Sequence, residues 1–225
     1  IRTGKSTLIS NMLLNPAFYG PEFFDSVKII SSTINNDLTS RFLKEHFDVE
    51  DHYDDSMVDQ LIEAQKSFKK ADQPEVAVIL DDILGALKSG SRVNTLSARF
   101  RHYNIKLLLF STQVFRYVSN IVRQNTTNLI VGSPFPNRKE LLKIAEEFGD
   151  VFGGPQQFLK VYKLCTPKRY DFMHCDLQAN PPLAYHNFEY VVAEGERIVV
   201  GGSTKLDDDD KKPEDVFSVD KVIKT

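Results

Sequence analysis

The sequence predicts an α/β fold with a mainly parallel, helix-flanked sheet, and three observations predict it. Apolar, β-favouring runs at residues 27–33, 76–80 and 105–110 suit strands buried on both faces rather than strands with one wet face. Stretches with helical spacing separate these runs, and strand–helix alternation is the pattern of a parallel sheet. The chain also opens with Gly4-Lys5-Ser6-Thr7 running into an apolar helix, which reads as the second half of a phosphate-binding loop.

The elements follow in order. In the pattern G-x-x-x-x-G-K-[ST], loop amides cradle phosphates, the lysine reaches their oxygens and the hydroxyl ligates magnesium. Gly4, Lys5 and Ser6 supply the last three elements, with Thr3 and Thr7 flanking them. Ile1, Arg2 and Thr3 fill three of the four variable positions, so the first glycine and the strand leading into the loop are expected before residue 1. Residues 7–14 are apolar at helical spacing and stop at Asn15-Pro16. A helix opening on a glycine turn offers free amides and a partial positive charge to an anion.

After the strand at 27–33, helices are expected at 37–47 and 56–71, with an acidic turn at 50–55 between them. The run 76–80 ends in Asp81-Asp82. Residues 83–103 read as a helix broken at Ser89-Gly90-Ser91, and 105–110 as a buried strand ending in Ser111-Thr112-Gln113. A helix at 114–123 and a strand at 128–132 continue the alternation. Beyond Pro134 the pattern changes: a helix at 137–148, a break at Gly153-Gly154-Pro155, then strands at 158–165 and 170–175 read as a hairpin around Thr166-Pro167-Lys168. The expected organisation is a core over 1–134, an α+β extension with this β-hairpin over 135–200, and a polar, disordered tail over 201–225.

Composition is that of a globular protein, 41% hydrophobic and 26% charged. No apolar run approaches the roughly 18 residues of a membrane span, and no secretory signal precedes the first motif. Cys165 and Cys175 give neither a disulfide framework nor zinc spacing, which fits a reducing compartment. The net charge of −3 conceals an uneven distribution. Residues 83–139 contain no acid, whereas 31 acids in 225 residues would put about eight there. The same span holds Lys88, Arg92, Arg99, Arg101, Lys106, Arg116, Arg123, Arg138 and Lys139, a one-sided charge suited to phosphates of nucleotide or nucleic acid.

A hydrophobic strand ending in acids, downstream of a phosphate loop, is the second half of an ATP site. Asp81 at the strand end would hold Mg2+, with Ser6 as the other ligand, and Asp82 would orient or polarise the attacking water. Gln113 ends the next strand, where an amide that both donates and accepts can bridge γ-phosphate and water.

The runs Arg101-His102-Tyr103-Asn104-Ile105, Ser111-Thr112-Gln113 and Ile121-Val122-Arg123-Gln124-Asn125 resemble the genome-packaging ATPases of large double-stranded DNA viruses, a poxvirus-like family similar to the FtsK–HerA translocases among P-loop ATPases. The likeness covers about residues 4–134, and Asp81-Asp82 fits the family's acidic pair, although Asp82 stands where FtsK–HerA enzymes commonly carry Glu. It implies a RecA-like sheet and a homo-oligomeric ring, pentamer or hexamer. Such a ring hydrolyses ATP with Mg2+ at subunit interfaces and pumps double-stranded DNA into a capsid, with a capsid or portal protein as partner. It implies residence in the host-cell cytoplasm, at the viral assembly site or with the virion. In such rings a neighbour's arginine reaches the γ-phosphate, and Arg101 and Arg123 are the candidates, with Arg99 third. Two alternatives stay open: a helicase- or recombination-type ATPase, with Phe100 and Tyr103 stacking bases, and a ring subunit that binds nucleotide without hydrolysing it.

Overall fold

The computed structural model describes residues 4–35, 43–87, 90–135 and 137–199. The start of the 37–47 helix, Lys88 in the basic span and the tail at 201–225 lie outside the described residues.

Four parallel strands make the first sheet. They are β1 (Ser26–Ser31), β2 (Asp48–Glu50), β3 (Val76–Asp81) and β4 (Ile105–Ser111), in spatial order β2-β1-β3-β4. Every residue of β3 is buried, as its continuous apolar sequence demands. Alternation along β3 divides the core between the two faces of the sheet. Ala77 and Ile79 join Val27, Ile29, Ile9 and Leu13 on the side of α1 (Lys5–Leu14). Val76, Val78 and Leu80 pack with Val58 and Ile62 of α2 (Asp55–Ser67) and with Val93 and Leu96 of α3 (Arg92–Arg99).

Side chains fix where these helices begin. Asp54 accepts the Ser56 N–H at 2.9 Å at the head of α2. Asp55 Oδ1 accepts from the Tyr53 hydroxyl (2.6 Å), the Ser91 hydroxyl (2.7 Å) and the Arg92 N–H (2.8 Å), so α2 holds the start of α3 in place. The expected helix at 83–103 is indeed broken, into a 3-10 turn (Leu84–Ala86), α3 and a second 3-10 turn (Phe100–Tyr103). The helix expected at 114–123 is a 3-10 turn (Phe115–Tyr117) and a short α4 (Asn120–Gln124).

A second sheet follows. It is an antiparallel meander of β5 (Asn128–Gly132), β6 (Phe172–Asp176), β7 (Leu183–His186), β8 (Tyr190–Glu194) and β9 (Arg197–Ile198), with α5 (Arg138–Phe148) and α6 (Pro155–Cys165) between β5 and β6. Asn137 caps α5 as its sequence predicts, accepting the Lys139 N–H at 3.0 Å.

Three expectations are corrected. The strand at 128–132 exists, but it pairs antiparallel with β6 instead of completing the parallel sheet. Residues 158–165 are helix α6, so the hairpin around Thr166-Pro167-Lys168 does not form; the β-structure of the extension is the meander. Phe158, Val161, Tyr162 and Cys165 are buried at i, i+3, i+4 and i+7, and Pro155 starts the helix at its favoured first position. Part of the acidic turn expected at 50–55 is the end of β2, which carries one apolar residue, Val49.

Each sheet presents an edge to the other. Among the described residues β4 pairs with β3 alone and β5 with β6 alone, and a cavity of ≈ 1060 Å³ lies between them. Leu107 and Leu109 of β4 and Leu129 and Ile130 of β5 line it, together with Leu8, Met12 and Lys5 of α1. This accounts for the half-buried state of residues 107–110, an unusual condition for so apolar a strand.

Candidate active site

The site forms at the carboxyl ends of the parallel strands, where open α/β sheets place their ligands. Register brings three strand ends level: Ser31 is opposite Asp81, and Asp81 is opposite Ser111. The start of α1 arrives at the same end. Gly4 takes φ 79° and ψ 7°, a left-handed turn that glycine makes without strain. Helix α1 then begins with no side-chain cap and no acid in its first turn. Its leading amides and the positive end of its dipole are therefore open to an anion. On this turn Ser6 is half-buried and Thr7 exposed, while Thr3 lies outside the described residues.

Asp81 is 6% exposed. Its Oδ2 accepts from the Ser31 hydroxyl at 3.0 Å, whereas its Oδ1 and the Ser111 Oγ are buried with no hydrogen-bond partner among the described residues. Burial pushes the Asp81 carboxyl above its ordinary value and the Asp82 charge adds to the rise, while the Ser31 hydroxyl and the Lys5 ammonium act against it. An orphaned carboxylate oxygen in a dry position is costly, and a cation held beside it removes that cost. Asp81 and the nearby hydroxyls therefore fit an oxygen-ligated ion such as Mg2+. Among the described residues no group of three or more His, Cys, Asp and Glu could hold a metal ion, so such an ion would take its remaining ligands from hydroxyls, phosphate and water.

Asp82 sits in the left-handed region at φ 52°, uncommon outside glycine but more accessible to Asp than to most residues. Two contacts hold it there: its N–H donates to the Ser111 carbonyl at 2.9 Å, and its own carbonyl accepts from the Ser32 hydroxyl at 3.2 Å. The turn aims its carboxylate along the sheet end, so that Lys5 Nζ lies 3.5 Å from Oδ2 and Gln113 Nε2 donates to that oxygen at 2.9 Å. Lys5, the Asp81-Asp82 pair and Gln113, far apart in sequence, meet within one site.

The arginines divide. Arg123 is embedded: its Nε donates to the Val118 carbonyl at 2.8 Å, its NH1 lies 3.1 Å from Glu147 Oε2, and its guanidinium stacks 4.3 Å from the Phe115 ring centroid. Arg101 is exposed, with its guanidinium 5.4 Å from the Phe100 ring centroid. Arg99, Arg116, Arg138 and Lys139 are exposed as well. Elsewhere in the acid-free span, carboxylates from outside it compensate: Asp59 pairs with Arg92 and Glu75 with Lys106.

Ser31 and Ser111, which flank Asp81, were not singled out by the sequence; each is the polar residue at the end of a buried strand, and that position was the available signal. Tyr170 was not legible at all. It reaches the phosphate loop from the α6–β6 connection, where its Cδ1 lies 3.7 Å from the position a β-carbon on Gly4 would occupy.

The Gly4-Lys5-Ser6 turn, the acidic end of β3 and the polar end of β4, together on a parallel sheet, have the arrangement that the P-loop NTPase resemblance leads one to expect. No protein-family description matches the sequence, and no curated protein matches it. Solved structures do. The DNA-packaging ATPase B204 of Sulfolobus turreted icosahedral virus is 18% identical, with 82% of this chain and 92% of that one aligned at a TM-score of 0.57. The genome-packaging NTPase B204 of Sulfolobus turreted icosahedral virus 2, in complex with AMP, is 19% identical over 82% and 92% of the two chains at 0.57. The same protein with sulfate is 20% identical over 82% and 91% at 0.55. The chain thus shares its fold with these viral packaging ATPases.

Proposed function

We propose that this chain is the catalytic core of an ATPase that drives double-stranded DNA into a viral capsid. The observation that carries the reading is the convergence of Lys5 and Gln113 on the Asp82 carboxylate beside buried Asp81. The α1 amides and Lys5 bind the phosphates, and Ser6 and Asp81 are the residues that would hold Mg2+. When bound, that ion offsets phosphate charge. Asp82 then accepts a proton from the attacking water, and Gln113, already bonded to Asp82, orients that water.

Subunits act as a ring in this reading, with an arginine of one completing the site of the next. Arg101 suits that role better than Arg123, because exposure leaves it able to cross an interface while Arg123 is bound within its own subunit. Arg99, exposed on the helix that follows the acid strand, would meet DNA phosphates and link their movement to hydrolysis. Residence in the host-cell cytoplasm or at the assembly site, with a capsid or portal partner, belongs to the same proposal. Phe100 and Tyr103 pack against the core, which favours a duplex-handling motor over a protein that stacks single-stranded bases.

The test is ATP turnover by the complete protein with and without double-stranded DNA. Stimulation by duplex, lost in Lys5→Ala, is the expected result; turnover indifferent to any DNA sinks the motor reading.

A further inference from the structure

Tyr170 occupies a backbone conformation that its side chain does not favour. Its φ is 75°, a region cheap for glycine and strained for a bulky residue. Two backbone hydrogen bonds enforce it: the Tyr170 N–H donates to the Ser133 carbonyl at 2.9 Å, and the Ser133 N–H donates to the Asp171 carbonyl at 2.8 Å. Asp171 tightens the same loop, its Oδ2 accepting the Lys168 N–H at 2.7 Å. The α6–β6 connection is thus clamped to the residue just past the end of β5. That clamp sets the Tyr170 ring against the phosphate-loop glycine, with its Cδ1 3.7 Å from where a Gly4 β-carbon would stand.

The ring does not contribute to the core. Tyr170 is 52% exposed, among the most exposed large hydrophobic residues described. Arg169 covers one side, its guanidinium 4.9 Å from the ring centroid. An exposed aromatic, held by strain beside a phosphate loop and backed by a cation, is preorganised to receive a flat, electron-rich group.

We propose that Tyr170 is the stacking platform for the base of the bound nucleotide, with Arg169 supporting the ring from its other side. The proposal rests on the phosphate-site reading and extends it, giving the extension after β5 a share in the nucleotide site. The phosphates lie at α1 and the base on Tyr170, so the nucleotide bridges the parallel sheet and the antiparallel one. Stacking is tolerant of base identity, so this contact supplies affinity for a nucleoside over bare phosphate rather than choice among bases.

The experiment titrates ATP and inorganic tripolyphosphate, each with Mg2+, into the complete protein and its Tyr170→Ala and Tyr170→Phe variants. Tyr170→Ala is expected to weaken ATP binding about 5- to 150-fold while leaving tripolyphosphate affinity unchanged, and Tyr170→Phe to keep both. An ATP affinity within twofold of the parent in Tyr170→Ala overturns the proposal. So does equal loss of both ligands, which would mean that the ring only shapes the loop. If the unsubstituted protein binds neither ligand, the phosphate-site reading fails and takes this one with it. If it binds tripolyphosphate as tightly as ATP, the phosphate site stands and the base platform does not.

Discussion

Lys5 and Asp82 face each other at the carboxyl end of the parallel sheet, Nζ 3.5 Å from Oδ2, with side chains 26% and 15% exposed. On the proposed reading this lysine binds phosphate and this carboxylate takes the proton of the attacking water, so one ion pair joins the two functions. Phosphate oxygens entering the loop compete for the same ammonium, and success frees Asp82. The pair is half-wet, so it stabilises the fold by at most about 1 kcal/mol. Lys5→Ala is therefore expected to abolish ATP binding and turnover while moving the melting temperature by no more than about 4 °C. Titration calorimetry and thermal melting check the two halves separately.

Asp82→Asn separates binding from chemistry. Asn also tolerates the left-handed φ of this position, so the turn should survive. Turnover should fall about 10²- to 10⁴-fold with loss of the proton acceptor. ATP affinity should hold or rise, because the anion that competes for Lys5 has gone. A parallel loss of affinity and turnover would count against the assignment. Gln113→Ala is expected to lower turnover as well with affinity retained, since its amide acts on Asp82 and the water rather than on the loop.

What the sequence could show is what neighbours along the chain decide. β1, β3 and β4 are legible because burial on both faces demands unbroken apolar runs, and the polar Ser31, Asp81 and Ser111 mark where those runs end. From that follow Lys5, Asp81, Asp82 and Gln113, each tied to the end of a strand or the start of a helix. The run from Phe158 to Cys165 is different: short and mostly apolar, it satisfies both periods, and Pro155 with tertiary burial decides for helix. The antiparallel partner of β5 lies some 40 residues downstream in β6, so no local signal fixes its direction. Tyr170 meets Gly4 only because a loop clamp on Ser133 brings them together.

Asp81→Asn should stabilise the ligand-free protein while destroying its activity. The folded-state carboxyl is held above its ordinary value by burial. The folded state therefore binds this proton more readily than the unfolded state. Ionised Asp81 thus costs stability, and the cost grows as pH rises from the ordinary carboxylate value of 3.8 through the raised folded value. Asn carries no charge and escapes the penalty, so at neutral pH the variant should melt higher, by about 2–4 °C for each kcal/mol relieved. The gain should shrink on acidification through that window, and Mg2+-dependent ATP binding should be lost throughout. A variant that melts lower at neutral pH would show that the Ser31 hydrogen bond, rather than the buried charge, dominates.

Arg101 and Arg123 carry the last contrast. Arg123 ties Val118, Phe115 and Glu147 together inside one subunit, so Arg123→Ala should cost about 1–3 kcal/mol of stability whether or not subunits assemble. Arg101 has no such bonds among the described contacts beyond its stacking on Phe100, so Arg101→Ala should melt like the parent. If Arg101 completes a neighbour's site, Arg101→Ala rings should still bind ATP and fail to turn it over, about 10³-fold or more below the parent. Mixing decides between a role in trans and one in cis. An Arg101→Ala subunit keeps Lys5, and a Lys5→Ala subunit keeps Arg101, so a mixed ring contains interfaces at which both groups are intact. Recovery of turnover on mixing two inactive preparations is the expected outcome. Silence at every mixing ratio, with assembly verified by sedimentation, would remove Arg101 from the interface and leave Arg99 as the remaining exposed candidate.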